Sequence, residues 1–165
     1  MNTFTKVLKY TLEGIVFVVV LPYLMWILSR RPALLPIDAL QLFAALLLIT
    51  KGLVLNLCAV MYKRHKLKEY KIDEYGHSEK RRVILMTKGP YKICRNPMLT
   101  GAIEYLLGYC IGLGTWQSYA VIVAFIAVAL IKINSEERRL LHVFGDEYAY
   151  YCYRTGRFTP FSLQK

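Results

Sequence analysis

Four apolar runs, each set off by charged or turn-forming residues, restrict this chain more than anything else in it. They cover residues 10–28, 38–62, 98–113 and 119–133. A bilayer core about 30 Å thick needs roughly 20 apolar residues in a helix, and lipid tolerates no unsatisfied backbone. The first run meets that length. Lys6 and Lys9 precede it, as they would a signal peptide. The run is too long for a signal's apolar core, however, and it ends in Ser29-Arg30-Arg31 with no small-residue cleavage pattern, so a transmembrane helix is expected. Pro32 and Pro36 punctuate the connection to the second run, which Asp38 can cap. "GLGTWQS" joins the third and fourth runs as a tight turn with Gly112 and Gly114. Each of these two is slightly short, so the hairpin is expected to tilt little or to stop before the far interface. The expected fold is therefore all-α and integral to the membrane. It has about four transmembrane helices, the last two a hairpin, and then a C-terminal cytosolic amphipathic helical tail. At 165 residues this is one domain, with helices in 1–62, a basic cytosolic loop in 63–97, the hairpin in 98–133 and the tail in 134–165.

Charge orients these spans. The chain is 56% hydrophobic yet carries 22 Lys and Arg against 11 Asp and Glu. If both termini share a compartment, nineteen of those 22 cations lie on that side, Arg30 and Arg31 lie opposite, and Lys51 falls within a span. The positive-inside rule then puts both termini and the large loop in the cytoplasm. Basic charge confined to loops of so apolar a chain speaks against nucleic acid as a partner. Cys58, Cys94, Cys110 and Cys152 show no close spacing, and His65, His77 and His142 are scattered. Neither a metal site nor a disulfide framework is indicated, and the cysteines read as small apolar packing residues.

The polar chemistry gathers on the cytoplasmic side. The loop over residues 63–88 reads as a solvated basic segment touching anionic headgroups, part of which can lid a site. Beyond the hairpin, Asn134 or Ser135 can cap a helix with Glu136 and Glu137 in its first turn, where the helix dipole favours carboxylates. Leu140, Leu141 and Phe144 make an apolar stripe at helical spacing. Gly145 is a break, and Asp146 can cap a second short helix carrying Tyr148, Tyr151 and Tyr153. Within the spans lie Glu13, Lys51, Asn56 and Glu104. Ionisable groups at membrane depth are costly and tend to line a bundle interior or a cavity. A Lys51–Glu104 pair holding the bundle and a substrate-contacting role for Lys51 both remain open.

"TKGPYKICRNPMLTG" at residues 87–101, followed by "EERRLLHVFGDEYAYY" after the hairpin, resembles the isoprenylcysteine carboxyl methyltransferase and phospholipid methyltransferase superfamily. The residues that carry the resemblance are Gly89, Tyr91, Arg95-Asn96-Pro97, Gly101, Glu136-Glu137, Phe144-Gly145 and Tyr148, in that order around a helical hairpin. They span about half the chain. The resemblance implies methyl transfer from S-adenosylmethionine to a lipophilic acceptor, with the cofactor in a cytosol-facing pocket covered by the C-terminal tail. It implies cofactor contacts at Val83, Ile84, Leu85, Met86, Tyr91, Arg95, Asn96, Pro97, Met98, Leu99 and Glu136. Lys132 falls where prenylcysteine enzymes carry a substrate-binding arginine. The residue types suit that cofactor. Glu136 offers an acceptor for an ammonium or ribose hydroxyls, Tyr91 an aromatic face, Asn96 both a donor and an acceptor, and helix N-termini free N–H groups. No GxGxxG is involved, so the soluble nucleotide-fold design is excluded.

This chain departs from the prenylcysteine pattern at three positions. Asn96 stands in place of a histidine, as in the broader bacterial-type pattern, which argues against a strict prenylcysteine enzyme; the expected location is a bacterial or archaeal cytoplasmic membrane rather than the endoplasmic reticulum. Leu99 stands where a tyrosine is often found. Lys132 cannot offer a carboxylate the two-pronged grip of arginine, which shifts weight toward a lipid amine, a phosphoethanolamine headgroup or another small lipophilic acceptor. The expected partners are that lipophilic substrate, drawn sideways from the bilayer, and membrane lipids, with no nucleic acid. Lys132 and Lys51 are the candidate substrate contacts. An amine acceptor must lose a proton, for which Glu104 and Glu137 are the candidate bases. Two other readings stand beside this one: a sterol-reductase-like membrane enzyme using NADPH, and a non-catalytic membrane scaffold or binding protein.

Overall fold

The computed structural model describes residues 19–29, 38–73 and 84–159. The regular structure among the described residues is helical, with no strand among them: α1 (Leu21–Ser29), α2 (Ala39–Asp73), a 3-10 turn (Gly89–Lys92), α3 (Pro97–Leu113), α4 (Trp116–Phe144) and α5 (Asp146–Arg154). Residues 10–18 of the first apolar run lie outside the described residues, as do Glu13, the Arg30-Arg31 flank with Pro32 and Pro36, and the loop over 74–83 with Val83. Two helices, Ala39–Lys66 and Trp116–Phe144, are long and apolar enough to cross a membrane. Only 17% of each apolar window is buried, so the apolar side chains point outward rather than into a core. Leu40, Phe43, Leu47, Val54, Val123 and Ile131 are among those exposed, as lipid-facing residues would be. At 17 residues, α3 is about 25 Å long and falls short of a full crossing.

Two boundaries differ from expectation. The fourth apolar run does not end at residue 133: α4 continues unbroken for 29 residues to Phe144, about 43 Å. Asn134 and Ser135 therefore sit inside a helix rather than capping a new one. They cap only where the preceding backbone turns out of helix, and no glycine or proline forces that turn here. Likewise α2 runs past Tyr62 to Asp73, because the lysines, arginine, leucine and glutamate that follow Tyr62 are good helix formers. The expected breaks at Asp38 and Gly145 do appear. Leu42 N–H donates to the Asp38 carbonyl as the first bond of α2. Gly145, with φ 54°, separates α4 from α5 and itself stands at the N-cap of α5, with Asp146 and Glu147 in the first turn. The hairpin turn uses Gly114, φ 59°, while Gly112 stays within α3.

The chain divides into two compact units, each considered on its own. The first comprises Met1–Lys51 and Ala102–Ala127. Met25, Ala45, Ala102, Leu106, Cys110 and Ile122 are buried in it. Ser29 Oγ and Thr115 Oγ1 share a hydrogen bond of 2.7 Å, and Gln41 Nε2 donates to the Ile111 carbonyl. Lys51 Nζ donates to Glu104 Oε1 at 2.8 Å.

The second unit comprises Gly52–Gly101 and Val128–Lys165. Within it α2 and α3 touch backbone to backbone. A Cβ placed on Gly101 would lie 2.6 Å from the Gly52 carbonyl oxygen and 2.8 Å from Asn56 N, a closeness only glycine permits. Asn56 Nδ2 then donates to the Met98 carbonyl at 2.8 Å, engaging a polar residue inside an apolar helix. Ala59, Cys94, Pro97, Ile133, Tyr148 and Tyr151 are buried in this unit.

Candidate functional site

The second unit holds the site. Residues 84–87 run without regular structure into the 3-10 turn. Ile84, Leu85, Met86, Thr87 and Lys88 line a cavity of about 220 Å³ together with Tyr62 and Lys66 of α2. Gly89 takes φ 63°, and a Cβ there would fall 2.7 Å from the Tyr62 ring, so both conformation and space demand glycine. Pro90 follows at the start of the turn and fixes φ for it. Tyr91 next packs its ring against Tyr62, with centroids 6.1 Å apart. Burial, and next the Glu136 carboxylate on α4, push the Tyr91 phenol up to about 12. That phenol is therefore a hydrogen-bond donor at neutral pH, never an anion.

One step further along the chain, residues 95–97 are tied to the C-terminal segment. Arg95 N–H donates to the Gly156 carbonyl at 2.9 Å, and Asn96 N–H to the Arg157 carbonyl at 3.2 Å. The Asn96 side chain reaches the same Arg157 carbonyl at 3.4 Å. Asn96 then opens α3, with Thr100 N–H and Thr100 Oγ1 both donating to its carbonyl and Pro97 at the first helical position, where its missing N–H costs nothing. Glu137 of α4 joins two arginines. Arg95 Nη1 lies 3.4 Å from Glu137 Oε1, and Arg157 Nη2 lies 2.5 Å from Glu137 Oε2. Arg95 also donates to Cys152 Sγ on α5, and Tyr151 Oη donates to the Tyr91 carbonyl at 2.6 Å.

The electrostatics follow from this crowding. Burial works most strongly against the Arg95 cation, but Glu137, Cys152 and Tyr148 together outweigh it and hold the pKa above the ordinary arginine value. Burial pushes the phenols of Tyr148 and Tyr151 above the usual tyrosine range, and Glu137 adds to the shift at Tyr148. Arg95 Nε and Glu137 Oε1 are buried without a hydrogen-bond partner. Buried polar atoms of that kind are rare and point to a strained or ligand-directed spot.

Of the residues singled out from sequence, Ile84, Leu85 and Met86 wall the cavity and Tyr91 stands one ring away. Arg95, Asn96 and Pro97 form the elbow into α3, the Met98 carbonyl is taken by Asn56, and Leu99 is half-buried. Val83 lies outside the described residues. Because α4 is unbroken, Lys132 and Glu136 share one face, four residues apart, and both are exposed. Lys51 and Glu104 are paired to each other within the first unit. Sequence reasoning missed Tyr62, Lys66 and Arg157. Tyr62 and Lys66 are four residues apart on one helix face, a signal that only became usable once α2 extended beyond residue 62. Arg157 carries no spacing signal at all.

Two helices long and apolar enough to cross a membrane, with mostly exposed apolar side chains, are the features of a membrane protein, and the second unit carries the cavity and the polar cluster. The chain belongs to the phospholipid methyltransferase family, whose model matches residues 40–147. Membership makes it a membrane methyltransferase of the lipid-directed kind. No curated protein matches the chain, and no solved structure does. The matched region takes in α2, the cavity wall, the hairpin and Glu136-Glu137, and it stops short of Tyr151, Cys152 and Arg157.

Proposed function

We propose that this protein transfers the methyl group of S-adenosylmethionine to a lipophilic acceptor drawn from the bilayer. The observation that carries this reading is the cavity walled by Ile84, Leu85, Met86, Thr87 and Lys88 beside Tyr62, with Tyr91 packed on the Tyr62 ring and Glu136 near enough to Tyr91 to act on its phenol. The residues fit that cofactor. Apolar side chains and the Tyr62 ring offer faces to an adenine, Lys66 and Lys88 offer cationic ends to a carboxylate, and Glu136 accepts from an ammonium or ribose hydroxyls. Bound there, the cofactor supplies an electrophilic methyl carbon. The chain's own contribution is alignment and the exclusion of water. Asn96, whose amide already donates to the Arg157 carbonyl, is held in a fixed orientation.

Glu137 is assigned to positioning rather than proton transfer, since its two oxygens are taken up by the guanidiniums of Arg95 and Arg157. Glu104 remains the candidate base for an amine acceptor, with Lys51 as its partner, and Lys132 the candidate acceptor contact. Both termini and the site face the cytosol in this reading, in a bacterial or archaeal cytoplasmic membrane.

Calorimetric titration of the detergent-purified protein with S-adenosylhomocysteine, run beside NADPH, tests the proposal. Micromolar binding of S-adenosylhomocysteine is expected. Binding of NADPH alone would move the protein to a reductase, and binding of neither would make it a non-catalytic family member.

A further inference from the structure

The segment after α5 is bound to the site through one residue acting twice. The Arg157 carbonyl accepts from Asn96 N–H and from Asn96 Nδ2, while its guanidinium pairs with Glu137 Oε2. Glu137 in turn faces Arg95, whose own N–H is held by Gly156. Together with the Tyr151 hydroxyl on the Tyr91 carbonyl, this makes a strap from residues 151–157 across residues 91–96. Those residues lead directly from the cavity wall at 84–88 into α3. None of the strap lies within the residues that the family model matches. The strap is also narrow. Besides the Tyr151, Asn96 and Cys152 side-chain contacts, it is held by two backbone hydrogen bonds and one partly exposed ion pair, with the Arg157 side chain 34% exposed and that of Glu137 15%. Arg95 Nε and Glu137 Oε1 are left without hydrogen bonds, so on the Glu137 side Arg157 supplies the close partner of the carboxylate.

We propose that Arg157 is a positioning residue and that its pairing with Glu137 latches this strap, holding the Tyr91–Asn96 stretch in the arrangement that retains the cofactor. The proposal rests on the cofactor assignment made under Proposed function. It differs from a purely structural role in what it predicts to move: cofactor retention, with acceptor use spared.

Cys152 reports the strap directly, because its sulfur accepts from Arg95. The test is made in a Cys58→Ser background, since Cys58 is exposed. Maleimide labelling of Cys152 and S-adenosylhomocysteine affinity are measured for the parent, Arg157→Ala and Arg157→Lys. Arg157→Ala is expected to label faster and to bind about tenfold more weakly, the cost of one charged hydrogen bond. Arg157→Lys should recover part of both, and the KM for the acceptor should stay put. Unchanged labelling and affinity in Arg157→Ala would overturn the latch. If that variant does not fold, the parent decides. Raising the salt screens a partly exposed pair, so labelling rate and dissociation constant must rise together, and salt-independent labelling overturns the proposal. A parent that binds no S-adenosylhomocysteine would defeat the methyltransferase reading instead, while the labelling comparison would still report on the strap.

Discussion

Lys51 reaches across from α2 to Glu104 on α3, Nζ to Oε1 at 2.8 Å, while the second oxygen of Glu104 is buried with no hydrogen bond. The pair sits among apolar residues of two helices, where a lone charge is expensive. Lys51, at mid-length of an apolar helix, is 61% exposed and Glu104 19%. Lys51→Ala strands a mostly buried carboxylate, and Glu104→Gln strands an ammonium among apolar surroundings. Each single variant should therefore lower stability by roughly 1–3 kcal/mol, as for a buried polar group left without its partner. The double variant should recover most of the loss. Thermal unfolding of the four proteins in detergent measures this. Turnover read on Glu104→Gln adds a second answer, since retained activity would remove Glu104 as the base.

The contact of α3 with α2 in the second unit makes Gly101 irreplaceable. A Cβ there meets backbone on the other helix at 2.6 and 2.8 Å, and backbone cannot rotate aside as a side chain can. Gly101→Ala should push the helices apart, strain the Asn56–Met98 hydrogen bond and cost about 1–3 kcal/mol as overpacking. Gly112→Ala is the matched control, because the nearest atom to its Cβ is the Ala45 methyl at 3.7 Å, ordinary contact. It should be neutral or slightly stabilising through helix propensity. Equal melting temperatures for the two variants would refute the close approach.

What could be foreseen in this chain divides along a physical line. Local signals were legible: apolar runs long enough to span, Asp38 and Gly145 as boundaries, and Gly114 of the hairpin turn, whereas Gly112 stays in the helix. The stretch from Thr87 to Gly101, dense in glycine and proline, marked the site because the backbone there needs a left-handed Gly89 and a proline-started helix. Boundaries set by competition were not legible. Asn134 and Ser135 are good caps and tolerable interior residues, and only the unbroken helix on both sides decides between them. The Glu137–Arg95–Arg157 cluster was half-visible: Arg95 and Glu137 belonged to motifs, but nothing local says that a residue 20 positions past Glu137 supplies the second guanidinium.

Tyr91 gives the site a pH signature. Its phenol titrates near 12 in the folded protein, raised by burial and then by Glu136, against about 10 when unfolded. Below pH 10 both states are protonated and the group contributes nothing that varies. Above it the unfolded state loses its proton first, so stability falls as pH rises from about 10 through 12. Tyr148 and Tyr151, raised for the same first reason, steepen the fall. Tyr91→Phe should flatten part of that slope and leave stability at pH 7 little changed, because its ring still packs on Tyr62. Chemical unfolding between pH 8 and pH 11 (both within about a unit or two of the unfolded tyrosine value) provides the comparison, and an identical slope in the variant would exclude Tyr91 as a contributor.

Lys132 and Glu136 stand on one face of α4, four residues apart, both exposed, and the proposed mechanism gives them different ligands. Glu136 sits close enough to Tyr91 to raise its pKa, on the cofactor side. Lys132 lies one turn earlier, toward the apolar stretch of the helix, where a bilayer-borne acceptor would arrive. Neither holds the fold together through an ion pair among the described residues, unlike Glu137. Glu136→Ala should therefore weaken S-adenosylhomocysteine by about tenfold or more, as for a lost charged hydrogen bond, with the melting temperature kept. Lys132→Ala should raise the acceptor's KM and leave the cofactor constant alone. Glu137→Ala should instead lower the melting temperature, because it leaves Arg95 and Arg157 facing each other without a counter-charge. The three variants compared in one assay separate the roles: a change in the cofactor constant alone for Lys132→Ala would move that lysine to the cofactor side, and unchanged affinity in Glu136→Ala would remove Glu136 from it.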